Sequence, residues 1–249
     1  MKTVILTGAS SGIGRELALE FAKRGFNLGL LARRVQLLNS VKNEILKLHP
    51  TIQVEIFPLD ITIYTEIYPA FKYLSSKLGR ISHVIANAGV AGSKEVGSSD
   101  FLHDKRVIET NLIAGMAIIE ASVKIFREQN TPGHIIGISS IAGTRGFPKN
   151  ASYSASKAGF TNYLEAARID LKKQNILVST ILPGFIDTDM NSHMKTRPFL
   201  ISANKGAKII IDKIEQKKEV AIIPNFPWSI LTFLMKRIPD FIWQRIPFE

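Results

Sequence analysis

The segment Thr7-Gly8-Ala9-Ser10-Ser11-Gly12-Ile13-Gly14 constrains this chain more than any other. A short apolar run precedes it and an amphipathic stretch follows, so it joins a buried strand to a helix. In that setting a glycine-rich turn can bind phosphate. Gly8 permits a tight turn, Gly12 lets backbone approach the bound group, and Gly14 lets the helix pack near the strand. The free N–H groups at the helix start add a partial positive charge. Ser10, Ser11 and Ile13 belong to the same candidate cradle. The spacing is TGxxxGxG, a variant of the GxGxxG dinucleotide fingerprint.

The rest of the chain repeats the strand-then-helix pattern. Strands are predicted at 4–7, 27–32, 53–58, 83–87, 133–139 and 177–182, with a seventh at 221–224. Helical patterns fill 12–24, 35–49, 63–78, 104–129, 151–173 and 202–216. Most of the strands are short and apolar without clean alternation, as in strands covered on both faces. The expected fold is therefore α/β: a doubly wound, mostly parallel sheet of about seven strands flanked by helices. A length of 249 residues suits one domain over 1–249, with 224–249 as an apolar C-terminal extension. There is no Cys, which excludes disulfides and thiolate chemistry and fits a reducing compartment. The first residues read as a buried strand and not as a signal segment, and no apolar run is long enough to span a bilayer. A cytoplasmic protein is expected. The net charge of +11 reads first as a solvated basic surface, and then as attraction for a polyanionic cofactor or an acidic membrane face. No motif that enters a nucleic-acid groove accompanies it, so nucleic acid is not an expected partner.

At the end of the second strand stand Leu31-Ala32-Arg33-Arg34. An NAD site normally carries a carboxylate there, for the ribose 2′-hydroxyl. Two arginines and no acid favour NADP over NAD, because the guanidinium fork pairs with a 2′-phosphate. Arg15 is a further candidate cation. Asp60, with Ile61 beside it, ends the third strand; it reads as an acceptor for the adenine amino group or as a cap for the next helix. Asn87-Ala88-Gly89 ends the fourth strand and leaves room for a ribose.

Tyr153 and Lys157 are related by i, i+4 and share a helix face. A phenol ordinarily titrates near pH 10; a nearby ammonium, aided by an oxidised nicotinamide, favours the phenolate. Tyr153 is then a candidate general acid and base. The rival Tyr163 is followed four residues on by Ala167, which carries no charge. Ser140, after the fifth strand, can hydrogen-bond a substrate oxygen. Asn111 sits within the long helical pattern after strand four, where it can hold a water or relax the helix toward a proton relay. The five histidines show no metal spacing, and no metal is expected.

With these motifs in order, the chain resembles the short-chain dehydrogenase/reductase family over nearly its whole length. The residues that carry the resemblance are Thr7–Gly14, Asp60, Asn87-Ala88-Gly89, Asn111, Ser139-Ser140, Tyr153 with Lys157, and Pro183-Gly184-Phe185-Ile186-Asp187-Thr188. It implies a Rossmann-type fold and an Asn111–Ser140–Tyr153–Lys157 tetrad. It also implies cofactor contacts from Pro183 and Gly184, from the Ile186 backbone to the carboxamide, and from Thr188. The expected activity is hydride transfer between NADP(H) and a carbonyl or secondary alcohol. A non-catalytic nucleotide sensor or membrane scaffold on the same fold is the alternative, against which an intact tetrad argues.

The chain departs from many family members in its apolar end, Ile230–Ile238 and 241–248. That departure puts the usual tetramer in doubt; a homodimer through the helices of Asn111 and Tyr153 is the expectation that resemblance leaves. The extension reads first as packing on the body or on a partner subunit. A second reading is an interfacial helix at the inner membrane surface, weakened by Pro239 and Pro247. Substrate choice is expected in the segment 189–200, where Met190, Met194 and Phe199 are candidates for an adaptable apolar pocket.

Overall fold

The computed structural model describes residues 2–92, 94–98 and 100–245; Pro247 and Phe248, singled out above, lie outside them. Strands and helices alternate as β1 (Thr3–Thr7), α1 (Gly12–Lys23), β2 (Asn27–Ala32), α2 (Val35–Leu48), β3 (Val54–Pro58), α3 (Tyr64–Leu78), β4 (Ile81–Ala86), α4 (Phe101–Ile108), α5 (Ala114–Gln129), β5 (Gly133–Ile138), α6 (Ala151–Leu171), β6 (Ile176–Pro183), β7 (Ile186–Asp187), β8 (Ile201–Ser202), α7 (Ala203–Glu215), β9 (Val220–Ile223), α8 (Trp228–Met235) and α9 (Asp240–Trp243). Seven strands form one sheet in the order β3-β2-β1-β4-β5-β6-β9, every pair parallel. Parallel pairing leaves both faces to be covered, which is why β1 and β5 are buried at every position.

Leu17, Phe21, Leu38, Ile45, Ile210 and Ile214 of α1, α2 and α7 pack one face. On the other face, α3, α5 and α6 contribute Phe71, Leu74, Ile118, Phe126, Phe160 and Leu164. Strand order reverses between β1 and β4, and in open α/β sheets the crevice at the strand ends beside such a reversal is where ligands bind. The turn after β1 and the Asn87-Ala88-Gly89 segment after β4 flank that reversal.

Two elements differ from the sequence expectation. The predicted helix 104–129 begins earlier, at Phe101, and is broken by a π-helical turn over Glu109–Ile113 that contains Asn111. The extra residue of a π turn rotates the side chains that follow, and such turns gather at functional sites. The segment after β6 adds the small β7–β8 pair, whose two-residue strands leave no hydrophobic period to read.

The C-terminal extension folds back on the body. Trp228, Met235 and Trp243 are buried with Ile141 and Leu182 in a third apolar cluster. Arg145 donates to the carbonyls of Met235 (2.5 Å) and Ile238 and pairs with Asp240 at 2.5 Å. Packing on the body is therefore what the inner face of the extension does. Among the described residues, no helix is long and apolar enough to cross a membrane.

Candidate active site

A cleft of about 620 Å³ opens at the strand ends. It is lined by Gly8, Ser10, Ser11, Gly12, Ile13 and Gly14, by Arg33, Arg34, Asp60 and Ile61, and by Asn87, Ala88 and Gly89. Across from these stand Ser140, Tyr153, Lys157, Pro183, Gly184, Ile186 and Thr188. Apart from Arg15, every candidate cofactor residue read from the sequence thus meets in one cavity. The turn requires its glycines: Gly8 has φ +69°, and a Cβ on Gly14 would lie 2.1 Å from the Gly8 carbonyl oxygen. The Asn87 side chain donates to Thr7 O (3.0 Å) and Gly8 O (3.4 Å), tying the end of β4 to the turn. A cleft of this size, floored by a backbone cradle at a helix start and edged by arginines, fits a dinucleotide.

Arg34 donates to Ser10 Oγ (3.1 Å) and Ser11 Oγ (2.7 Å), so it also stiffens the turn. Asp60 accepts from the backbone N–H and hydroxyl of Thr62, at 3.0 and 2.8 Å. Burial would raise its pKa, but those two bonds and the Arg33 charge outweigh burial and hold it below the usual value. Asp60 therefore shapes the turn ahead of α3 while lining the cleft. Arg15 lies outside the cleft wall. It forms ion pairs with Glu16 and Glu44, at 2.6 Å to the latter, which already balance its charge, so the expectation of an extra cofactor cation there is corrected. Arg106, Glu109 and Thr110 also line the cleft. The sequence offers no signal for them, because only the kinked path from α4 through the π turn brings them to the cavity.

Lys157 is buried, and its Nζ donates to Ile138 O at 3.0 Å. Burial lowers its pKa to about 8. Ser140 hydrogen-bonds the Tyr153 phenol and accepts from Ala142 N at 3.1 Å. Burial pushes the phenol pKa up, and the Ser140 bond only partly opposes it. The expectation that the lysine lowers the phenol is not met by the protein alone. The physical reason is that burial penalises the phenolate, while Lys157, itself desolvated, bonds a carbonyl and lies 5.8 Å from the phenol ring centre. Asn111 is buried and does not line the cleft. It clamps Val90, accepting from its N–H at 2.8 Å and donating to its carbonyl at 2.9 Å, and reaches Ser156 Oγ at 3.2 Å. Its contact with the active groups is by way of Gly89: a Cβ there would meet Asn111 Oδ1 at 3.0 Å and Lys157 Nζ at 3.7 Å.

A smaller pocket of about 140 Å³ adjoins the cleft, and both share Ser140, Tyr153, Gly184, Met190 and Asn191. Its apolar walls come from Ile141, Phe147, Phe185, Met190 and Met194, and its polar groups include Asn150 and His193. Met190 and Met194 stand where the sequence reading puts them. Phe199 does not line the pocket; its ring meets Trp228 edge-on at 5.7 Å. His193 lies in the 189–200 segment where substrate choice is expected, whereas Phe147 and Asn150 were not legible as pocket residues, since no local pattern distinguishes them from ordinary loop side chains.

The short chain dehydrogenase family model matches residues 2–198. An uncharacterized oxidoreductase of Mycobacterium tuberculosis is 33% identical over 243 residues, covering 97% of this chain and 96% of that protein. An 11-beta-hydroxysteroid dehydrogenase-like protein of Arabidopsis thaliana is 33% identical over 251 residues, covering 95% of this chain and 80% of that protein. A crystal structure of a Burkholderia phymatum short-chain dehydrogenase/reductase in complex with NAD superposes with a TM-score of 0.85 at 21% identity, over 100% of this chain and 96% of that one. Turn, cleft and Tyr-x-x-x-Lys helix all fall within the matched residues, and the chain belongs to the short-chain dehydrogenase/reductase family of oxidoreductases.

Proposed function

We propose that this oxidoreductase is an NADP(H)-dependent carbonyl reductase of an apolar substrate, reversible as an alcohol dehydrogenase. The observation that carries the reading is Tyr153, which lines both the polar cleft and the small apolar pocket and is bonded to Ser140. The dinucleotide supplies hydride when bound. Tyr153 gives a proton to the substrate oxygen in reduction and takes one back in oxidation. The neutral phenol, the form that burial favours, is the one that can donate in reduction. Ser140 steadies the same oxygen. Lys157 holds the nicotinamide ribose and adds positive charge, and Asn111 fixes the Val90 backbone beside them. Ile186 and Thr188 hold the carboxamide end.

Arg33 and Arg34, with no carboxylate at the end of β2, support NADP over NAD. One structural relative, the alcohol dehydrogenase from Thermococcus sibiricus, was solved with 5-hydroxy-NADP, and the Burkholderia protein with NAD. The choice here therefore rests on this chain's own arginines. Fluorescence titration tests it: NADPH is expected to bind well ahead of NADH. Arg33→Ala should weaken NADPH by about 10- to 100-fold, the worth of one or two charge-assisted bonds, and spare NADH. Equal loss of both cofactors would refute the specificity.

Two finer features belong to the same reading. The outward side of the extension exposes Phe226, Ile230, Phe233, Leu234, Phe241 and Ile242 beside Lys236, Arg237 and Arg245. An apolar face with cations at its rim supports peripheral contact with an acidic membrane surface, on the cytoplasmic side. Co-sedimentation with anionic vesicles, reduced by Phe233→Glu, is the expected result. A homodimer through α5 and α6 completes the reading, with Ile169 exposed on α6; light scattering gives the mass that decides it.

A further inference from the structure

The substrate pocket has two aromatic walls, Phe147 and Phe185, and each is backed from outside by a tryptophan of the C-terminal extension. Trp243 packs edge-on against Phe147 at 5.2 Å, and Trp228 packs against Phe185 at 6.0 Å. Neither tryptophan lines the pocket itself. Trp228 also fills the space beside Gly184, where a Cβ would meet its Nε1 at 2.4 Å. Trp243 Nε1 donates to Gly146 O at 2.9 Å, fixing the residue just before Phe147. Arg145, one residue earlier still, lies over the Trp243 ring at 4.7 Å. The same guanidinium holds the carbonyls at the end of α8 and pairs with Asp240. The segment that carries Ser140 and Phe147 is thus fastened to the extension through Arg145 and the Trp243 indole, while Trp228 braces the Gly184–Phe185 segment.

We propose that the C-terminal extension is the outer wall of the substrate pocket, with Trp228, Trp243 and Arg145 as positioning residues that set the size of carbonyl compound it accepts. The inference rests on the carbonyl-reductase reading above and deepens it. None of the described residues of the extension lines the cofactor cleft, so its effect falls on substrate binding and spares the dinucleotide. An aromatic wall held from behind cannot swing outward, and the pocket stays narrow. Loosening the brace lets Phe147 move, which costs affinity for a small ketone and makes room for a larger one.

The chain contains two tryptophans, and they are these two. Intrinsic indole emission is therefore a direct probe of the brace. The experiment uses the full chain and the methyl ketones from 2-butanone to 2-undecanone. In wild-type protein saturated with NADP, which does not absorb indole emission, adding ketone should change tryptophan fluorescence in step with occupancy. Trp243→Ala and Arg145→Met should each raise KM for the short ketones about tenfold. They should leave kcat within about twofold, leave NADPH binding unchanged, and shift the preferred chain length upward. Trp243→Phe, which keeps an aromatic brace, should restore the wild-type profile. If Arg145→Met fails to fold, Arg145→Lys and the two Trp243 variants still decide the matter. Unchanged KM and chain-length preference in folded variants, or a parallel loss of NADPH binding, would overturn the proposal. Should wild-type protein bind NADPH yet reduce no carbonyl compound, the functional reading fails instead, and the ketone-dependent indole signal alone tests the wall.

Discussion

At the level of single side chains, the proposed proton chemistry rests on Tyr153, whose phenol pKa burial raises. Removing its hydroxyl takes away the acid but none of the packing. Tyr153→Phe is expected to lower kcat by at least about 100-fold, within the usual range for a lost general acid, while NADPH binding stays intact. Stopped-flow or steady-state NADPH oxidation, with a parallel cofactor titration, measures both. Near-wild-type turnover in that variant would remove Tyr153 from the mechanism. The spacing to Lys157 and the place of Ser140 were legible because they are local in sequence. The direction of the phenol's shift was not, because burial is decided by residues far along the chain.

Among the elements, the π turn at Glu109–Ile113 is the one whose effect the sequence does not disclose. A helical pattern predicts a continuous helix through Asn111; the structure turns that amide inward to hold both polar groups of the Val90 backbone. Val90 lies on the cleft wall, so this clamp helps to set the shape of the cleft. Asn111→Ala leaves those groups without their partner. It should cost about 1–3 kcal/mol, the penalty for unsatisfied buried polar groups, and weaken cofactor binding along with it. Urea unfolding with and without NADPH reads both effects. The Gly-rich turn is the contrasting case. Its geometry was legible because it depends on the backbone itself, and only glycine fits at Gly14.

For the molecule as a whole, two imidazoles at the far end of the sheet govern acid stability. His83 and His134 lie on neighbouring strands with rings 5.5 Å apart. Burial lowers His83 to about 3, helped by the nearby His134 and Lys2 charges. Burial, with Lys217, lowers His134 to about 4. Both start from an ordinary value of 6.5, so the unfolded chain takes up protons first as the pH falls. Their contribution is complete above about pH 6.5 and is lost below it, at up to ~1.4 kcal/mol per pH unit for each ring. The loss continues until the folded rings titrate, near 4 for His134 and 3 for His83. Between pH 6.5 and 5 the two together should remove up to ~4 kcal/mol. Denaturant melts across that range check the slope, and replacing both rings with non-titrating residues should flatten it.

The sequence by itself determined the alternating architecture, the glycine-rich turn, the arginine pair after β2 and the Tyr153–Lys157 face. Each of these is a short-range pattern in which spacing along the chain is already spacing in space. Tertiary structure alone decided that Arg15 is neutralised by Glu16 and Glu44, that Asn111 serves Val90, and that two tryptophans near the C-terminus back the pocket beside Ser140. Apart from the adjacent Arg15–Glu16 pair, those contacts join residues 21 to 97 positions apart. Their partners are chosen by how helices and loops pack on the sheet, which no local window of residues contains.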